Sequence, residues 1–136
     1  MKIVAFVQAR MGSSRLPGKV LKQILDYSMI EILLSRLSRS KELDQIVVAT
    51  TTNSDDDELY SYVSNLGYHC TRGREKDVLN RFYEAAKTVN ADVIVRITAD
   101  CPLVDPELVD ECIRRFKESE VDYVSNTSPP TYPDGL

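Results

Sequence analysis

Lys2-Ile3-Val4-Ala5-Phe6-Val7-Gln8-Ala9-Arg10-Met11-Gly12-Ser13-Ser14-Arg15-Leu16-Pro17-Gly18-Lys19 runs from an apolar strand-length segment into a loop with two glycines, two serines and three cations. Small residues let a backbone come close to an anion and aim its N–H groups at the oxygens. Arg10, Arg15 and Lys19 would add full charges around the same spot, and an arginine fork matches phosphate geometry. The loop reads as a polyphosphate cradle; a solvated surface loop of the same composition is the plainer alternative. It is not a Walker loop, because Gly12 and Gly18 are one position too far apart and Val20 stands where that motif needs a hydroxyl. The dinucleotide fingerprint G-x-G-x-x-G is also absent.

Outward from this stretch, strand and helix patterns alternate. Residues 2–8 form a buried strand, and residues 28–39 carry Ile30, Leu33, Leu34 and Leu37 at helical spacing. The run Ile46-Val47-Val48-Ala49 is apolar on both faces, as in the interior of a parallel sheet. Ser54 and the acids Asp55 to Glu58 suit a helix start, where the macrodipole favours negative charge, and Gly67 stops that helix. Residues 68–71 give a third strand, 77–89 a helix, 92–98 a fourth strand and 121–125 a fifth. Asp105 and Pro106 are placed to cap and open the helix before that last strand. The βαβαβαβαβ order predicts an α/β fold: a three-layer, Rossmann-like, mainly parallel sheet with helices on both faces and right-handed crossovers.

The length of 136 residues suits one domain. The net charge of -4 and pI near 5.0 argue against general nucleic-acid binding, which needs a basic face. No apolar stretch approaches the ~20 residues that span a bilayer, and no secretory signal opens the chain. Three cysteines without a CxxC pair fit reduced thiols and a cytoplasmic setting, and a single histidine makes a zinc site a poor fit. His69 beside Cys70 is a formal dyad, but alternation along a strand points neighbours to opposite faces.

In a parallel sheet, ligands gather at the carboxyl ends of the strands. There the second notable stretch, Thr98-Ala99-Asp100-Cys101-Pro102, presents Asp100 opposite the basic loop. One or two carboxylates with phosphate oxygens and water are the usual Mg²⁺ set, so Asp100 reads as a metal ligand; a carboxylate that only hydrogen-bonds its own loop is the plainer alternative. Arg96, within the strand, reads as a buried arginine in need of a partner.

The stretch from Gln8 to Leu21 resembles the opening signature of the cytidylyltransferase family that makes CMP-activated acidic sugars, in the branch named for spore-coat polysaccharide biosynthesis protein F. Residues 96–106, Val47 to Thr51, and Arg72-Gly73 with Asp77 to Tyr83 resemble the same branch. The resemblance covers essentially the whole chain. It implies a nucleotidyltransferase of surface or spore-coat polysaccharide synthesis that binds CTP and Mg²⁺ and passes CMP to the hydroxyl of an acidic sugar, releasing pyrophosphate.

Carried over by position, Arg10, Arg15 and Lys19 would hold the triphosphate, with Gly12, Ser13 and Ser14 beside it. Ala9 would lie against the cytosine, Arg72 would border the nucleotide or the sugar, and Asp100 would bind the metal. Arg15, Lys19 and Asp100 would carry the catalysis, and Asp134 is a possible base. The resemblance also implies a possible homodimer, and it makes residues 1–136 a single nucleotidyltransferase domain, the N-terminal part of a longer chain. Asp26-Tyr27-Ser28 stands where the family usually has a Gly-Lys-Pro-like turn. Two other readings remain: a nucleotide-sugar glycosyltransferase using Asp55-Asp56-Asp57 as a D-x-D motif, and a non-catalytic nucleotide-binding module.

Overall fold

The computed structural model describes residues 1–12 and 15–127. Strand β1, Ile3–Gln8, is followed by the basic loop, a single 3-10 turn at Lys19–Leu21, and a short antiparallel hairpin of β2, Gln23–Ile24, and β3, Tyr27–Ser28. Then come α1, Met29–Leu37; β4, Gln45–Thr51; α2, Asp57–Asn65; β5, His69–Gly73; α3, Val78–Thr88; β6, Val93–Thr98; and α4, Pro106–Glu118. The α/β sandwich is the one the alternating pattern predicts.

The main sheet has four strands, all parallel, in the order β5-β4-β1-β6. Strand β1 lies at its centre and is almost wholly buried, which is why it reads as a continuous apolar run rather than an alternating one. Its residues divide between two cores. Ile3, Ala5 and Val7 pack with Leu33, Leu37, Leu59 and Ile113 of α1, α2 and α4, whereas Val4 and Phe6 meet Phe82, Ala85 and Val89 on the α3 side. The Phe6 and Phe82 rings meet edge to face at 6.3 Å, the favoured aromatic geometry.

The helix starts follow their capping residues. Ser28 accepts from the Glu31 N–H, Asp77 from the Asn80 N–H, and Asp105 from the Glu107 N–H ahead of Pro106 in the first turn.

Two expectations are corrected, and a third is extended. No strand forms over residues 121–125. Val121 and Tyr123 stay exposed, so the segment buries too little apolar surface to fix a ladder, and β6 is the sheet edge among the described residues. Arg96 is not buried: on this edge strand it points to the less covered face, its guanidinium over the Phe82 ring and one amino group 3.3 Å from Gln8 Oε1. The acidic run also does more than start a helix. A 3-10 turn at Ser54–Asp56 precedes α2, and Asp56 turns inward to 2% exposure instead of capping. No helix among the described residues is long and apolar enough to cross a membrane.

Candidate active site

The chain runs from β1 outward through β4 to β5, then returns to place β6 on the other side of β1. Strand order therefore reverses between β1 and β6, and the crevice at their carboxyl ends is where such sheets receive ligands. The loops meeting there are 9–19, after β1, and 99–105, after β6. Ala9 donates to the Ala49 carbonyl and Ala99 to the Gln8 carbonyl, so both loops leave the sheet from fixed backbone.

The basic loop pivots on Met11. Its N–H donates to Asp56 Oδ1 at 2.7 Å, and its carbonyl accepts from the Gly18 N–H at 2.8 Å, closing the loop on itself. Gly18 has φ 72°, the left-handed conformation glycine tolerates best, and from there the chain enters the 3-10 turn that carries Lys19. Val20, 5% exposed, anchors that turn in the core.

Lys19 Nζ then lies 3.9 Å from Asp100 Oδ2 across the crevice. Both side chains are open to solvent, so the pair contributes little to stability and is available to a ligand. Gly12 has open space around it, leaving its backbone approachable.

The structure places Ala9, Arg10, Gly12, Arg15 and Lys19 on one loop and brings Asp100 to it. Ser13, Ser14 and Asp134 lie outside the described residues. Arg10 is exposed and pairs with Glu75 at 2.8 Å. Arg72 is engaged with the β4–α2 connection: it donates to the Thr51 and Asn53 carbonyls at 2.8 and 2.9 Å, pairs with Asp57 at 2.7 Å, and lies over the Tyr60 ring. The Asp55-Asp56-Asp57 run is correspondingly unsuited to a D-x-D metal site, with Asp57 held by Arg72 and Asp56 turned inward. Burial first, offset in part by the Arg72 charge and reinforced by Asp56, pushes the Cys70 thiol up to about 11. It is thus protonated at neutral pH and no nucleophile.

Sequence reasoning missed Asp56, Asn53 and Glu75. Asp56 accepts from both the Met11 N–H and the Thr51 hydroxyl, tying the basic loop to the end of β4. Its signal was present in an acidic run longer than a helix start needs. Asn53 Nδ2 donates to Glu75 Oε2 at 2.8 Å, so Glu75 bridges the loops after β1, β4 and β5. No pattern in the sequence announces that bridge.

A parallel sheet with an anchored basic loop facing an open carboxylate at the strand-order reversal has the architecture of the Rossmann-like nucleotidyltransferase fold. The chain belongs to the cytidylyltransferase family, whose profile matches residues 4–132. It is 39% identical over 132 residues to the spore coat polysaccharide biosynthesis protein SpsF of Bacillus subtilis, covering 94% of this chain and 55% of that protein.

Among solved structures, a cytidylyltransferase from Leptospira borgpetersenii superposes with a TM-score of 0.83 at 39% identity, covering 88% of this chain and 50% of that one. A CMP:2-keto-3-deoxy-manno-octonic acid synthetase complexed with CTP superposes at 0.78 with 27% identity, covering 88% and 48%. The chain spans about half the length of the curated relatives it matches.

Proposed function

We propose that the protein transfers a cytidylyl group from CTP to a hydroxyl of an acidic sugar, in the synthesis of a surface polysaccharide such as a spore coat. The observation that carries this reading is the approach of Lys19 to Asp100 across the strand-order reversal, on a loop whose backbone is pinned at Met11. Family membership and the likeness to a synthetase complexed with CTP support the choice of nucleotide. The likeness to a spore coat polysaccharide protein supports the setting.

In the proposed reaction the sugar hydroxyl attacks the α-phosphorus, a new P–O bond to the sugar forms, and the bond from the α-phosphorus to the bridging oxygen breaks as pyrophosphate leaves. Such transfers ask the protein for positioning and charge neutralisation more than for covalent chemistry. Arg10, Arg15 and Lys19 would hold the triphosphate and offset charge on the departing pyrophosphate, assisted by loop N–H groups. Ala9, 3% exposed at the end of β1, would form a floor for the base.

Asp100 fits a Mg²⁺ ion carried on the phosphates, being an open carboxylate beside the cationic loop. No group of three or more acids, histidines or cysteines among the described residues forms a closed cage. When bound, Mg²⁺ would neutralise phosphate charge and polarise the α-phosphate.

The test is a pyrophosphate-release assay with CTP and a panel of ulosonic acids. CTP-dependent release with at least one such sugar is expected. Tight CTP binding with no release on any acceptor would instead indicate a nucleotide-binding module without catalysis.

A further inference from the structure

The cation at the head of the basic loop already has an anion. Arg10 Nη1 donates to Glu75 Oε1 at 2.8 Å, and Asn53 Nδ2 holds the other carboxylate oxygen at 2.8 Å. Glu75 is the one acid in the run Arg72-Gly73-Arg74-Glu75-Lys76. Its position is built into the fold. Arg81 of α3, 4% exposed, lies across Gly73, where an added Cβ would meet Arg81 Cγ at 2.4 Å. From there Arg81 Nη1 donates to the carbonyls of Arg74 and Glu75 at 3.1 and 3.2 Å.

Two of the guanidiniums in this small region, those of Arg10 and Arg81, both reach Glu75, one at its carboxylate and one at its carbonyl. Burial first, and then the Arg10 charge, lowers the pKa of Arg81, while Asp56 and Glu75 oppose that shift. Both members of the Arg10–Glu75 pair are about half exposed, at 51% and 43%, so an incoming anion can reach it.

We propose that Glu75 is an internal competitor for phosphate on Arg10, held in place by Arg81 and Asn53, so that nucleotide and pyrophosphate bind by exchange with this carboxylate. This rests on the reading of Arg10 as a phosphate ligand and adds a residue that tunes how tightly the site keeps its substrate and its product. A phosphoryl oxygen takes over the compensation of Arg10 as it arrives. As pyrophosphate leaves, Glu75 returns to the guanidinium and prevents the product from trapping the loop.

The experiment is calorimetric titration of the chain and its variants with inorganic pyrophosphate and, separately, with CTP, UTP and ATP. Glu75→Gln keeps the hydrogen bond to Asn53 and removes the competing charge. It is expected to bind pyrophosphate about two- to fivefold tighter, the range an exposed ion pair supports. The gain is expected to vanish in an Arg10→Gln background, the signature of a direct coupling. Glu84→Gln, which removes an equal charge from α3 where Glu84 pairs with Lys87, is expected to leave binding unchanged.

Unchanged or weaker pyrophosphate binding in Glu75→Gln overturns the inference, as does a gain that persists without Arg10 or an absence of pyrophosphate binding in every variant. Pyrophosphate binding without preference for CTP over other triphosphates contradicts the cytidylyl reading instead, and leaves the Glu75 comparison readable.

Discussion

Two buried aspartates do the same chemistry at different places in the molecule. Asp56, 2% exposed, accepts from the Met11 N–H and the Thr51 hydroxyl, beyond the carboxyl end of β4. Asp110, 5% exposed in α4, accepts from the N–H groups of Lys41 and Glu42 and from the Ser40 hydroxyl, in the connection that leads into the amino end of β4. Each carboxylate accepts from one hydroxyl and from backbone N–H groups, one for Asp56 and two for Asp110, the condition under which a buried charge is tolerable. The difference lies in what each one holds. Asp110 fastens a helix to a connection, aided by Lys117 and Arg114 on Glu42; Asp56 fastens the loop that faces the strand-order reversal. The same device serves the fold at one end and the site at the other.

Removing each carboxylate breaks the comparison most sharply. Asp56→Ala and Asp110→Ala each leave buried donors without acceptors and are expected to cost about 2–4 kcal/mol in urea unfolding. Only Asp56→Ala is expected also to weaken nucleotide binding, by roughly tenfold or more, because a displaced loop loses its aligned donors. Asp110→Ala should bind within about twofold of the parent, scored by titration under conditions where both variants are folded.

A smaller effect is expected from Gly73→Ala. Its methyl would collide with the buried stem of Arg81, and overpacking of this kind costs about 1–3 kcal/mol. Unfolding midpoints test it, and a neutral result would show that Arg81 is free to shift.

Acid tests the Asp110 side of the comparison. Burial acts to raise the Asp110 pKa, but the Lys41 N–H, the Ser40 hydroxyl, the Glu42 N–H and the Arg114 charge together outweigh it and leave the carboxyl below its ordinary value. A depressed folded-state pKa gives stability that is present above the unfolded value of about 3.9 and lost as pH falls through the folded one. The stability advantage of the parent over Asp110→Asn should therefore be full near neutrality and shrink in that acidic window, as read by urea midpoints against pH.

The smallest effect on stability is expected from Asp100→Asn. Its partner Lys19 is 3.9 Å away and both are exposed, so the unfolding midpoint should move by less than about 1 kcal/mol. Mg²⁺-dependent CTP binding should nonetheless fall, reversing the pattern of Asp110.

Much of this was legible in the chain. Ile46-Val47-Val48-Ala49 and the buried run of β1 announce a parallel sheet, because strands covered on both faces cannot alternate. Asp105-Pro106 marks the start of α4 by local capping. Gly12, Gly18 and the three cations mark the loop, and Asp100 follows from its place after β6.

What was not legible depends on contacts between distant residues. The β2–β3 hairpin turns at Leu25 with φ 59°, without the Asn-Gly pair that usually announces such a turn. Asp56 looks like one more acid at a helix start until the fold brings Met11 across from it. Val121 to Ser125 has strand-like residues, but the structure gives it no ladder.

The loop pinned by Asp56 is proposed as a CTP site, a claim that calorimetric titration of the chain with CTP, UTP, ATP and GTP in the presence of Mg²⁺ puts to the test. The claim predicts saturable binding of CTP at or below millimolar concentration, weaker binding of the other three, and loss of the CTP heat in Asp56→Ala. Equal heats for all four nucleotides, or no heat with CTP, would contradict it.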